Sequence, residues 1–526
     1  MKKYICLIVL AVVLVTSCKK FGDLNTDPTK SSNLDPAIQL GYAQQKFSGD
    51  LNVQERLGVI LTMPLVGHIG GAWANQYGQF YVKQERYASL LWEDNYVNEI
   101  KNILDGEERS RNNPAAKNLN GMCRVMKVYL FARMTDLYGD IPYTEASGAY
   151  SKGKAAPAYD KQEDIYNDFF RQLDTAATRF SEGQDVVSND AFYGGSVGKW
   201  RKFTASLRLR LALRLARRNP VKAKEEVQKA YNAGVIASMD DNCMMRHDNV
   251  QNDYTDLRGN GLSAALNQGD LIGYRMTTTF ITQLQNTNDP RLYVMARNYL
   301  DKPFRPFERV DITEQVKAQV GSFGVRPADF IWDNWQNTIY VNTPDAQGVP
   351  VTNNEQFIQV SNWLIAANAP FLHLGYAETE LLLADASVRF NIQLGVTAEE
   401  HYKKGLAAGC RQLTIYPNAP VISDANIAKF IADNALQPGK ELQQINTQLW
   451  VVYFMNGPEA YANVRRSGFP VLPSGFKAGY SDATKMPRRM EYPISEKSLN
   501  ATHAGEAITR MGGKDDWNNR VWWDMP

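Results

Sequence analysis

The chain has 526 residues, a formal net charge of +2, 44% hydrophobic and 22% charged residues. A near-neutral body of this kind excludes polyanion binding as its main task, and its length suffices for a large buried core. Twenty-six Tyr, 21 Phe and 10 Trp supply rings for a core and for binding surfaces alike.

The first residues read as an export signal. Lys2 and Lys3 precede an apolar run from Tyr4 to Val15, followed by small Thr16 and Ser17 and then Cys18. This is the pattern of a secretory signal peptide over residues 1–17. It is shorter than the roughly 20 residues of a membrane-spanning helix. Val15-Thr16-Ser17-Cys18 also resembles the bacterial lipobox, which implies that Cys18 is acylated and becomes the mature N-terminus. The competing reading is an ordinary signal peptide with an incidental cysteine. Residues 18–35 (CKKFGDLNTDPTKSSNLD) are too polar to order themselves. We read them as a lipidated flexible tether reaching on the order of 55 Å when extended. The globular body is expected over residues 36–526.

Helical periodicity dominates that body. Leu119, Met122, Met126, Tyr129, Leu130, Met134 and Leu137 share one face of a predicted helix over 116–137, stopped by Gly139 and Pro142. Trp200, Phe203, Leu207, Leu211 and Leu215 do the same over 200–218, and its arginines are expected to snorkel or pair with acids. Asn219-Pro220 breaks that helix and starts another. Further helices are predicted over 371–390, 397–413, 427–435 and 441–455. Recurrent helix–turn–helix units suggest tetratricopeptide-like pairs of irregular period. The fold class is therefore mainly α, an α-superhelix of such pairs with long loops. Alternation at 338–342 and 356–360 predicts a small β-hairpin insertion within 323–363. Long irregular loops are expected at 66–87 and 469–489, and loops of this kind often carry function.

Catalytic and metal motifs are weak. Gly194-Gly195-Ser196-Val197-Gly198 matches G-x-S-x-G but lacks the preceding apolar strand of a nucleophile elbow. His68, His247, His373, His401 and His503 have no metal-ligand spacing, and Asp240-Asp241-Asn242 does not fit a calcium loop. The sequence thus predicts no catalytic residue, no metal site and no cofactor. Cys123, Cys243 and Cys410 are too few and too scattered for a disulfide framework, and Cys123 and Cys410 read as buried free thiols. Two aromatic clusters remain. Trp73, Asn75 and Tyr77 lie among glycines and amides, and Trp332 and Trp335 lie beside Asp333 and Asn334. Flat rings next to hydrogen-bonding groups suit sugars, whose faces are apolar and whose hydroxyls need partners. These five are the candidate ligand contacts. The alternative is that the rings pin loops to the body.

Several stretches together resemble one family. MTDLYGDIPYTEA (134–146) resembles the D-x-Y-G-D-I-P-Y-x-E-A signature of SusD/RagB-type outer-membrane lipoproteins. KWRKFTASLRLRLALRLA (199–216), LLLADASVRF (381–390), GPEAYANVRRSGFP (457–470), RRMEYP (488–493) and the closing VWWD (521–524) match further family motifs in order. Tyr461 stands where a Trp is frequent. The resemblance implies a helical body under a loop-rich ligand face, lipid-anchored at the cell surface. It also implies a SusC-like TonB-dependent transporter as partner, and an oligosaccharide or a peptide as ligand. On this reading the protein is not an enzyme. A surface polysaccharide-processing enzyme, or a helical-repeat scaffold or adhesin without a small ligand, are the alternatives. Mass spectrometry of the mature N-terminus is expected to show an acylated Cys18; an unmodified terminus with the protein in the cytosol removes the anchor.

Overall fold

The structure is a computed structural model that describes residues 34–71, 76–148, 156–267, 274–302, 305–320, 339–351 and 358–526. The expected signal peptide, Cys18 and nearly all of the tether lie outside the described residues. Its principal helices are α1 (Pro36–Gly49), α2 (Lys101–Ser110), α3 (Lys117–Tyr138), α4 (Gln162–Arg179), α5 (Val197–Arg214), α6 (Pro220–Ala233), α7 (Thr313–Val320), α8 (Tyr376–Phe390), α9 (Ala398–Arg411), α10 (Asp424–Asp433), α11 (Glu441–Val452) and α12 (Gly457–Ser467). The helices pack as pairs, α1 with α2, α3 with α4, α5 with α6, α8 with α9 and α11 with α12. Contacts of α2 with α3, of α4 with α5, of α5 with α8 and of α8 with α11 join the five pairs into one body. This is the expected mainly α, tetratricopeptide-like architecture. Among the described residues no helix is long and apolar enough to cross a membrane.

Local chemistry sets the helix ends. Gly139 stops α3 at φ +85°, a region that glycine reaches without a Cβ clash. Thr397 caps α9 in a reciprocal capping box with Glu400. Asn219 accepts from the Lys222 amide and Pro220 occupies the first turn of α6, so α5 ends at Arg214, before the predicted 218. The GGSVG stretch is the turn that leads into α5, with Gly194 and Gly195 at φ +58° and +84°. Cys123, Cys243 and Cys410 are free and buried.

Two expectations need correction. The predicted helix over 371–390 begins only at Tyr376, because Phe371–Leu374 is a strand (β10) paired antiparallel with Cys243–Met245 (β2). A short apolar run fits a strand or a helix equally, and the partner strand decides. The predicted strands at 338–342 and 356–360 do not pair with each other. Ile339–Thr343 (β7) pairs with Ala346–Val351 (β8), while Gln359–Val360 (β9) pairs with Ala296–Arg297 (β4). Gly348 and Pro350 lie within β8. The β7–β8 hairpin and α7 form a satellite core of Ile312, Val316, Ile339, Val341 and Val351.

The main core contains an ionic layer. Arg210 and Arg214 on α5 are each 1% exposed at the side chain. Arg214 meets Asp136 of α3 at 3.1 Å and Glu459 of α12 at 2.7 Å. Arg210 holds Glu378 of α8 through Nε and Nη2 at 2.6 and 2.8 Å. Asp136 also accepts from the Tyr166 hydroxyl and from Trp523 Nε1, and its carbonyl accepts from Arg465. Asp385 of α8 binds Arg389 and Arg466 at 2.7 and 3.0 Å. Burial raises the pKa of Glu459 and Asp385, but the adjacent guanidiniums outweigh it and both carboxyls end below the ordinary range. Arg208, Arg210 and Arg214 of α5 therefore pair with acids, and those at 210 and 214 do not snorkel.

Arg214→Met leaves Asp136 and Glu459 without their shared cation. It is expected to cost about 3–5 kcal/mol, read as a lower urea midpoint at unchanged slope. A second carboxyl tests the sign of pH dependence. Glu99 is 1% exposed; burial and then the charge of Asp94 push its pKa up to about 8, against the pull of Lys46. The unfolded chain gives up this proton near pH 4.5, so it binds fewer protons than the fold above that value, and stability falls as pH rises. Glu99→Gln is expected to flatten this loss between about pH 5 and about pH 9 in thermal melts; parallel profiles for the two proteins count against it.

Candidate functional site

The two stretches expected as long irregular loops form one surface, although the first holds the strand Ile69–Gly70 and the short helix Gln76–Gln79 and runs into the helix Glu85–Asn95. The first is rooted on α11. His68 is fully buried among Phe280, Trp450 and Phe454, with ring centroids 5.1, 5.0 and 5.4 Å away. Burial pushes its pKa down to about 3, so the ring is neutral. Its Nε2 lies 3.0 Å from the Trp450 carbonyl oxygen, a contact that places the proton on Nε2. Trp450 Nε1 in turn donates to the Val66 carbonyl at 2.9 Å. Ile69–Gly70 (β1) pairs antiparallel with Arg275–Met276 (β3). Beyond the strand, Gln79 Oε1 accepts from the Gly71 amide at 3.0 Å.

The second loop, 469–489, folds over the first without any helix or strand of its own. The Gly475 amide donates to the Tyr81 hydroxyl at 2.9 Å, and the Asp482 amide to the Tyr81 carbonyl at 2.9 Å. Asp482 accepts from the Lys83 amide at 2.6 Å, and Lys83 Nζ reaches Glu491 at 2.6 Å. The approach is so close that a Cβ at Gly475 would lie 2.0 Å from the Gln79 carbonyl oxygen. Tyr81 itself adopts φ +56°, a left-handed conformation costly for a bulky residue. Its hydrogen bonds to the second loop hold it there.

Aromatic rings collect on this double loop. Phe80 and Tyr480 meet edge to face with centroids 6.0 Å apart. Lys477 Nζ lies 5.6 Å from the first ring and 5.7 Å from the second. Tyr77 packs edge to face on Tyr87 at 5.5 Å, and its phenol is near enough to help burial raise the pKa of Tyr480. Tyr480 is 40% and Phe476 44% exposed. The result is a half-open aromatic surface flanked by amides and hydroxyls, suited to the apolar face of a polyhydroxylated ring. The nearby carboxylates already have partners: Asp482 and Glu491 bind Lys83, and Glu85 accepts from the Ile494 amide at 3.0 Å.

Of the candidate contacts named from sequence, Tyr77 belongs to this surface. Trp73, Asn75, Trp332 and Trp335 lie outside the described residues. Phe80, Phe476 and Tyr480 were not singled out in the sequence, although they show the same pattern of a ring among Gly, Pro and Lys. The missing information was the partner: Tyr81 and Gly475 are 394 residues apart. Among the described residues no group of three or more His, Cys, Asp or Glu is placed to hold a metal ion.

Comparison with known proteins places the chain. Residues 66–493 match a SusD-like family described as starch-binding and associating with the outer membrane. The chain belongs to this SusD-like family. A solved structure described as a chitin-binding protein is 36% identical, with a TM-score of 0.80 over 94% of this chain and 100% of the other. A Bacteroidetes SusD-like structure is 30% identical, with a TM-score of 0.85 over 94% of this chain and 100% of the other. A chitin-binding SusD homologue from Flavobacterium johnsoniae, 22% identical with a TM-score of 0.70 over 93% of this chain and 98% of the other, shares the fold. No protein of curated function matches the chain.

Proposed function

We propose that this chain is a non-enzymatic capture protein for oligosaccharides, anchored through an acylated Cys18 at the outer face of the outer membrane. Residues 1–17 act as the signal peptide and 18–35 as the tether that lets the body sit over a SusC-like TonB-dependent transporter, to which it passes its cargo. The observation that carries the proposal is the surface of Tyr77, Phe80, Phe476 and Tyr480 on two interlocked loops. Trp73, Asn75, Trp332 and Trp335 are the further ligand contacts of this proposal. The first ligand class to test is a chain of β-linked N-acetylglucosamine, since a 36% identical relative is described as chitin-binding. A peptide is the second class.

Capture without chemistry fits the engagement of Asp482, Glu491 and Glu85 in hydrogen bonds, which leaves them poorly placed for the paired acid and base of glycoside hydrolysis. A scaffold or adhesin reading fits less well, because half-open rings are costly to leave facing water unless something covers them. Calorimetry with chitohexaose tests the site. Tyr480→Ala, Trp73→Ala, Trp332→Ala and Trp335→Ala are each expected to weaken binding about tenfold, which corresponds to about 1.4 kcal/mol. Unchanged affinity in all four variants removes the proposed surface, and release of shorter sugars during incubation would favour an enzyme.

A further inference from the structure

The hairpin of the satellite core has two outer edges, because among the described residues β7 and β8 pair only with each other. An open strand edge presents a row of unpaired N–H and C=O groups and invites another strand. The edge along β8 is blunted by composition. Tyr340 stands opposite Pro350. The Tyr340 amide and carbonyl bond to α7 and point away from β8, so Pro350 faces away from β7 in turn. Proline has no N–H to offer a strand there.

The edge along β7 is covered by side chains of α7. Gln319 Oε1 accepts from the Tyr340 amide at 3.3 Å, and its Nε2 donates to the Tyr340 carbonyl at 2.6 Å. One turn earlier, Gln315 Oε1 accepts from the Asn342 amide at 2.6 Å and its Nε2 donates to the Asn342 carbonyl at 2.8 Å. Each carboxamide thus stands in for one residue of a neighbouring strand, with its acceptor and its donor both used. The spacing allows this. Residues i and i+4 of a helix are about 6 Å apart along the axis, and residues i and i+2 of a strand about 6.6 Å. The two rows run antiparallel. Val316 is buried with Ile339 and Val341 in the satellite core, which sets the rotation of α7 so that both glutamines face the edge.

We propose that the outer edge of β7 is a strand-pairing surface that α7 holds closed, and that the partner it takes when uncovered is β7 of a second copy of this chain. The groups of Tyr340 and Asn342 repeat at strand spacing, so two copies running in opposite directions about a twofold axis satisfy each other. Tyr340, 61% exposed, then supplies ring contacts across the axis. Gln315 and Gln319 keep the chain monomeric by occupying those groups first. The inference is independent of the capture reading.

Hydrogen exchange and sedimentation test this. In the wild type the Tyr340 and Asn342 amides are expected to exchange about tenfold more slowly than free peptide amides. The double variant Gln315→Ala/Gln319→Ala keeps α7 helical but removes both carboxamides. It is expected to lose that protection when dilute and to pass from monomer to dimer as its concentration rises. Adding Tyr340→Pro, which an edge strand tolerates, takes away an N–H that the second copy needs and is expected to restore the monomer. Wild-type amides that exchange at the free rate overturn the proposal without any variant. So does a double variant that stays monomeric at its highest soluble concentration, and so does a dimer that persists with Tyr340→Pro.

Discussion

The fold depends on the double ion pair through which Arg214 joins Asp136 to Glu459. Three helices, α3, α5 and α12, are far apart in the chain and meet at this guanidinium. Charges buried this deeply are costly to dehydrate, and they persist only where geometry and extra hydrogen bonds compensate. Here the compensation is extensive. Tyr166, Trp523 and Arg465 complete the environment of Asp136, while Arg210 ties in Glu378 on α8. An Arg fork accepts partners in few directions, so the layer fixes how the helix pairs are rotated as well as how tightly they pack.

This layer also explains the family signature. Residues from the stretches that resemble SusD-type motifs meet here. Asp136 comes from the TDLYGDIPY stretch, Arg210 and Arg214 from the SLRLRLALR helix, and Asp385 from LLLADA. Glu459, Arg465 and Arg466 come from GPEAYANVRRSG, and Trp523 and Asp524 from the terminal VWWD. Arg488 closes the set by binding Asp524 at 2.5 Å. Such a signature reports on the scaffold and says little about cargo. Tyr461 keeps a related role where a Trp is frequent, its hydroxyl donating to the Pro487 carbonyl at 2.6 Å.

The binding face uses the rigidity beneath it. The first loop is held to α11 by His68 and Trp450, and the second is held to the first through Tyr81. With its base fixed in this way, an irregular loop can present rings in defined positions although it has few backbone ladders of its own. The cost of the left-handed Tyr81 conformation is offset by the bonds that bring the second loop into place.

Much of this was legible in the residues. Apolar period placed α3, α5 and α9, and Gly139 marked the end of α3, because a helix's stripe and its stop signal are local. The mainly α class and the two functional-looking loops followed from the same local information. Pairings were not legible. Phe371–Leu374 is a strand because β2 lies beside it, and 356–360 pairs with 296–297 instead of with its expected neighbour. The partners of Arg210 and Arg214 could be named as acids but not identified. The union of 66–87 with 469–489, and with it Phe80, Phe476 and Tyr480, depended on contacts spanning most of the chain. Sequence by itself determined the course of the main helices, the mainly α class and the family resemblance. Tertiary structure alone decided which buried charges neutralise each other and which rings share a surface, because hydrogen bonds and ion pairs act across a few ångströms of space whatever the distance along the backbone.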